Sequence, residues 1–178
     1  MVKAGTLALA SLNAVQAVVS QEDLEAFPGF AAAMLECGSG NDWRSYTVTN
    51  EAGYQLNLLR ITGDKENRPA APRGPLLMEH GFYHDLDDWM NRTDETNECL
   101  PIELFDLGFD VWIDAVRGTK ALGHDTLDPV LNSDQYWDFT WSDIGKDDLP
   151  AITDFIIEER VDDTCDKITV LAHSTAIT

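Results

Sequence analysis

Positive charge is what this chain has least of. Lys and Arg number 12 against 32 Asp and Glu, a net charge of −20. So acidic a surface argues against nucleic acid and anionic membranes as partners, since both are polyanions. Long apolar runs are missing too, and a bilayer span needs about 20 such residues. Cysteine is scarce: Cys37, Cys99 and Cys165 permit one disulfide at most and leave a thiol over. Repeats and low-complexity tracts are absent. What remains is 178 residues, 44% of them hydrophobic, enough for the core of one domain.

The first residues read as a targeting segment. Lys3 supplies a positive start, Ala4 to Val15 carries no charge, and Val15-Gln16-Ala17 fits the small-x-small cleavage rule. Residues 1–17 are therefore expected to be a signal peptide and 18–178 the mature domain, secreted or lysosomal. In that setting Asn91-Arg92-Thr93 is a glycosylation acceptor at Asn91.

Periodicity lays out the rest. Ser20 to Leu35 predicts a helix capped by Ser20 and interrupted at Pro28-Gly29. Trp43 to Thr49 and Tyr54 to Thr62 alternate around a turn and predict an antiparallel hairpin. Pro75 to Met78 is a short continuous apolar run, as expected of a strand buried on both faces, and Phe109 to Ile113 reads as another buried strand. Cys99 to Leu107 predicts a helix between them. Thr119 to Asp138 is a polar excursion without firm period. Trp141 to Arg160 predicts a helix with Ile144, Leu149, Ile152, Phe155 and Ile156 on one stripe. Asp147, Asp148, Glu158 and Glu159 fall on its other face, and Pro150 imposes a kink or a late start. Hairpin, strand, helix, strand, helix, strand is the order of an α/β sheet with right-handed crossovers.

The final strand, Ile168 to Leu171, runs into Ala172-His173-Ser174-Thr175-Ala176. A buried strand that ends in a sharp turn between small residues is the form of a nucleophile elbow, with Ser174 exposed at the tip. Here Ala172 and Ala176 stand where that pattern has glycine. His80-Gly81 also falls at the carboxyl end of a strand, where such sheets place their sites. His80 and His84 are four apart, a metal-ligand spacing only on a helix, which Gly81 opposes. Solvated charge is the better account of the acidic runs Asp85 to Asp88 and Glu158 to Asp163.

From Cys37 to Thr178 these segments resemble the acid lipase family of α/β-hydrolases. Tyr46 to Thr49 with Gly53 to Leu56 is similar to the family's hairpin, and Glu79-His80-Gly81-Phe82 to its oxyanion loop. Leu107 to Trp112 with Arg117-Gly118 is a specific likeness. Tyr136 to Trp141, Asp147 to Ala151 and the elbow resemble further family stretches. The resemblance implies an α/β-hydrolase fold truncated after the nucleophile-bearing strand. It implies an ester hydrolase of triacylglycerols or steryl esters, without cofactor or metal. Ser174 would be the nucleophile, and the backbone N–H groups of Phe82 and Thr175 the oxyanion donors, with His80 and Gly81 shaping the loop. The fold orders its triad Ser, acid, His, so the activating acid and histidine are expected outside this stretch. Two rivals stand beside this reading. One is an inactive truncated hydrolase serving as a binding module. The other keeps the fold but acts as an acyltransferase or small-ester esterase.

Overall fold

A computed structural model describes residues 19–37, 41–63, 73–81, 83–91, 99–159 and 167–177. The expected signal peptide lies outside the described residues. Helices α1 (Gln21–Ala26) and α2 (Pro28–Cys37) replace the single interrupted helix. Ser20 caps α1 by accepting from the Asp23 N–H, and Pro28 opens α2, where its missing N–H costs nothing.

Strands β1 (Trp43–Thr49) and β2 (Tyr54–Ile61) form the expected hairpin, with Trp43 opposite Ile61 and Thr49 opposite Gln55. Strands β3 (Pro75–Glu79), β4 (Asp110–Ala115) and β6 (Thr169–Ala172) run parallel, and the sheet order is β1-β2-β4-β3-β6. A two-residue β5 (Gly123–His124) pairs with the start of β2. All residues of β3 and β4 are buried, as expected of strands covered on both faces, Asp110 and Asp114 of β4 included. β6 ends this sheet, paired with β3 alone among the described strands, and Val170 on it is 49% exposed.

Side chains alternate across the sheet and build a core on each face. One face joins Leu59, Met78, Val111 and Ile113 to Phe30 of α2 and to Ile102 and Phe105 of α3 (Leu100–Asp106). The other joins Leu56, Leu58, Leu77 and Trp112 to Tyr136 of α4 (Ser133–Tyr136) and to Ile152 and Ile156 of α6 (Leu149–Glu159). Parallel strands with helices on both faces make this a three-layer α/β arrangement. A disulfide ties Cys37 at the end of α2 to Cys99 at the start of α3, with the Cα atoms 5.9 Å apart. Sequence alone left the pairing of the three cysteines open. Closing a loop with 62 residues of separation restricts the unfolded chain. Replacing both cysteines by serine is expected to cost about 2–4 kcal/mol in urea unfolding.

The late helix start expected at Pro150 is there, since α6 begins at Leu149, but the placement of Asp148 on the outer face needs correction. Trp141 to Arg160 is not one regular helix. A short turn, α5 (Trp141–Asp143), passes into a widened turn over Ile144–Asp148, in which the Leu149 N–H donates to the Ile144 carbonyl. Such widening absorbs the strain of Pro150, which has no N–H to donate and whose ring would crowd a regular turn. The altered winding also carries Asp148 inward. It is fully buried, not on the solvent face, and pairs with Arg117 and Asn50. His124, in the polar excursion, is also fixed in place and half-buried. Its ring stands 4.7 Å from Tyr54, and its Nδ1 accepts from the Thr126 and Leu127 N–H groups.

Candidate active site

The carboxyl ends of β3, β4 and β6 converge on one edge of the sheet. β6 stops at Ala172, and a single turn, Ser174–Ile177, begins at once. Ser174 takes φ +59°, the left-handed region that costs a non-glycine residue about 1 kcal/mol or more. The exposed serine thus sits on a strained strand-to-turn bend. The His173 N–H donates to the Glu79 carbonyl at 3.2 Å, extending the β3–β6 ladder to the lip of the bend. The Ala176 N–H closes the turn on the His173 carbonyl at 3.3 Å.

Gly81 lies against this bend. A Cβ built there would meet the Ser174 Cβ at 2.8 Å and the His173 carbonyl oxygen at 3.0 Å. Only glycine lets the loop after β3 approach the serine so closely. Gly81→Ala must push the two loops apart. It is expected to cost about 1–3 kcal/mol in urea unfolding, the range for overpacking a close contact.

His80 is buried beside Gly81. Its Nδ1 donates to the Gly81 carbonyl at 2.9 Å, which leaves Nε2 a bare acceptor. Burial holds its pKa below the ordinary value against the raising effect of that hydrogen bond, so the ring is neutral. On the outer side His84 pairs with Asp88 at 3.1 Å, and its ring stands 5.4 Å from that of His173. A cavity of about 320 Å³ opens there between His80, His84, Trp89 and His173, with exposed Asn91 on its wall.

On the other side of His80 lies a cavity of about 550 Å³, walled by Val116, Trp137, Phe139, Trp141 and Leu149 and reaching Ala176 in the elbow. Arg117 and Glu79 are its charged walls. Arg117 is anchored by Asp148, with Nε to Oδ1 at 2.8 Å and Nη2 to Oδ1 at 2.5 Å. Its guanidinium also stacks 4.2 Å from the Tyr54 ring centroid. Burial alone would lower the pKa of Arg117, but the Asp148 hydrogen bonds outweigh it, and the group stays charged. Glu79 on β3 was named only within the oxyanion-loop likeness, with no role of its own, and Asp114 on β4 was not singled out in the sequence. Both are buried charged-type residues at strand ends, and the only signal for them was a carboxylate closing an apolar run.

The structure therefore brings Ser174, His80 and Gly81 together and begins the elbow turn at Ser174-Thr175. Phe82 lies outside the described residues, as do Arg92 and Thr93 beside Asn91. Among the described residues no three His, Cys, Asp or Glu side chains gather as a metal site, and no helix is long and apolar enough to cross a membrane.

No model of a known protein family matches the sequence. Curated relatives do. The chain is 36% identical over 116 residues to the lysosomal acid lipase/cholesteryl ester hydrolase of Homo sapiens, covering 64% of this chain and 28% of that protein. It is 34% identical over 122 residues to lipase member K of Mus musculus, covering 67% and 30%. Triacylglycerol lipase 2 of Arabidopsis thaliana is 34% identical over 139 residues, covering 76% and 31%. The matched stretch thus spans under a third of each of these relatives.

Proposed function

Taking as premise that the chain is homologous to the acid lipases, we propose that it carries the nucleophile of a serine hydrolase acting on the carboxylic esters of neutral lipids. Ser174 at φ +59° on the carboxyl end of a parallel strand, packed against Gly81, is the observation that carries this reading. Ser174 Oγ attacks the ester carbonyl, and the alcohol leaves after protonation. Water then releases the acid from the acyl-enzyme. The developing oxyanion needs donors already in place. The N–H of Thr175, which follows the nucleophile, and that of Phe82, in the loop after β3, are the suppliers in this reading. Losing one such donor costs about 3–4 kcal/mol of transition-state stabilisation.

The acid and histidine that activate Ser174 lie, in this account, beyond the 178 residues, in keeping with the short share of each relative that is matched. The large cavity supports a lipid substrate, because its walls are mainly apolar and it reaches the elbow. Beside it, Trp137 donates to the Pro129 carbonyl at 3.0 Å, and the next residues, Val130 and Leu131, are 80% and 84% exposed. Exposed apolar residues next to an apolar cavity suit contact with a lipid–water interface. A secreted or lysosomal location, with residues 1–17 removed and sugar on Asn91, completes the proposal.

A fluorophosphonate that reacts only with activated serines tests it. The full-length protein should gain one adduct, on the peptide that carries Ser174. An adduct on another serine, or none, would refute the assignment.

A further inference from the structure

Glu79 on the cavity wall and Asp114 buried beside it are two carboxyl groups that the acyl-transfer chemistry does not use. β3 and β4 run parallel with Met78 beside Ile113, so the next residues in register are Glu79 and Asp114. Leu77 and Trp112, two residues earlier on each strand, lie in the same core cluster, so Glu79 and Asp114 share that sheet face. Glu79 is 4% exposed and Asp114 fully buried. Glu79 Oε2 and both carboxyl oxygens of Asp114 have no hydrogen-bond partner among the described residues. Buried carboxyl oxygens left so are costly, and costlier still if charged.

Neighbouring charge offers the pair no relief. Arg117, on the same cavity wall as Glu79, is held by Asp148 and Asp147. Asp148 is further satisfied by the Asn50 amide at 2.6 Å. What Glu79 and Asp114 face is thus each other and the negative Asp148, with neutral His80 next in the chain. No metal-binding group of side chains forms among the described residues. Protons are what remains to neutralise the two carboxyls. Burial first, then the charges of Glu79 and Asp148, push Asp114 well above the ordinary carboxylate range. Burial, then Asp148, raises Glu79 to about 7. The pair is thus carboxylic acid, not carboxylate, in mildly acidic medium.

A protonated carboxyl has one O–H to donate. Of the two residues Glu79 is the one on the cavity wall. We propose that Glu79, backed by Asp114, is a buried carboxylic-acid donor on the floor of the lipid cavity, and that it binds an uncharged carbonyl or ether oxygen of the ligand. This rests on the lipid-hydrolase reading for the kind of ligand, but not on catalysis. The site favours oxygenated neutral lipids over plain hydrocarbon, since the carboxylic acid on the wall can donate to a ligand oxygen and gains nothing from a hydrocarbon chain. It disfavours carboxylate anions, which would face Asp148 and any charge that Glu79 regains. Donor strength falls as pH rises through the titration of Glu79, because the proton that makes the bond is then lost.

Octyl glycerol ether is a suitable probe, being uncharged, rich in oxygen and resistant to esterases. Trp137 and Trp141 on the cavity wall report its binding by fluorescence. The protein should bind it at least about tenfold more tightly near pH 5 than near pH 8. Glu79→Gln keeps a neutral donor of similar shape, so its affinity should vary less than about threefold over that range. This variant also controls for any pH effect that does not come from the Glu79 carboxyl. Glu79→Leu should bind about tenfold more weakly near pH 5 than either. Equal affinity at both pH values, an undiminished pH dependence in Glu79→Gln, or no fluorescence change at any pH would overturn the inference. Ser174→Ala should bind as the parent does. Binding that follows the predicted pattern in a protein without hydrolase activity would refute the proposed reaction and leave the donor site standing.

Discussion

Arg117→Met should destabilise the protein by about 3–5 kcal/mol, because it strands a buried carboxylate. Asp148 has no exposure, and Arg117 meets it through Nε, Nη2 and its own backbone N–H, the last at 3.1 Å. Without the guanidinium, the Asn50 amide and that backbone N–H remain on Asp148, too little for a full charge in the interior. Half-buried Asp147, the second carboxylate on Arg117, contributes less, since water reaches and screens it. For a chain of this length the loss corresponds to a fall in Tm of roughly 10 °C. The double variant Arg117→Met/Asp148→Leu separates charge from shape. It should recover most of the stability in urea unfolding, because no unpaired charge is left. If the single variant melts like the parent, the ion pair does not hold this region. The pair also ties the loop after β4 to the widened turn before α6, the two segments that flank the cavity.

Local pattern made much of the fold legible. The first half of β2 alternates and β3 opens on a continuous apolar run, so their sequence states their burial directly, whereas β4 is buried throughout although it carries Asp110 and Asp114. Asp110 shows how a motif becomes structure. It receives Nε and Nη2 of Arg60 at 2.7 and 2.8 Å and the Trp112 indole at 3.0 Å, which fixes the start of β4. The elbow was read from a strand followed by small residues, and the backbone of Ser174 bears the expected strain. Gly81 was placed near it only by the rule that such sites gather at strand ends, and the packing against Ser174 agrees.

What stayed illegible depended on contacts distant in sequence. Tyr136 lies in a stretch without period, yet it is fully buried, its ring 5.3 Å from Tyr54 and its carbonyl accepting from the Tyr54 hydroxyl. A four-residue helix is too short to show a face. Asp148 was assigned to solvent by helical arithmetic, which fails across a widened turn. The Glu79–Asp114 pair arises from strand register, and 34 positions separate the two residues in the chain. Three cysteines allow three pairings, and only the fold selects Cys37 with Cys99.

The measurement that bears most directly on the central claim is hydrolysis of a p-nitrophenyl ester by the full-length protein, with and without Ser174→Ala. Removing the nucleophile of such a triad typically costs ten-thousandfold or more in kcat, about 5.5 kcal/mol of barrier or beyond. The substitution deletes one exposed hydroxyl, and alanine meets the same left-handed backbone strain, so the unfolding midpoint should barely move. The 178-residue chain by itself should hydrolyse no ester above background, since an unactivated serine hydroxyl is a weak nucleophile. A loss of at least about ten-thousandfold at unchanged stability is the predicted result. Turnover that survives Ser174→Ala, or robust hydrolysis by the 178 residues alone, would contradict the account.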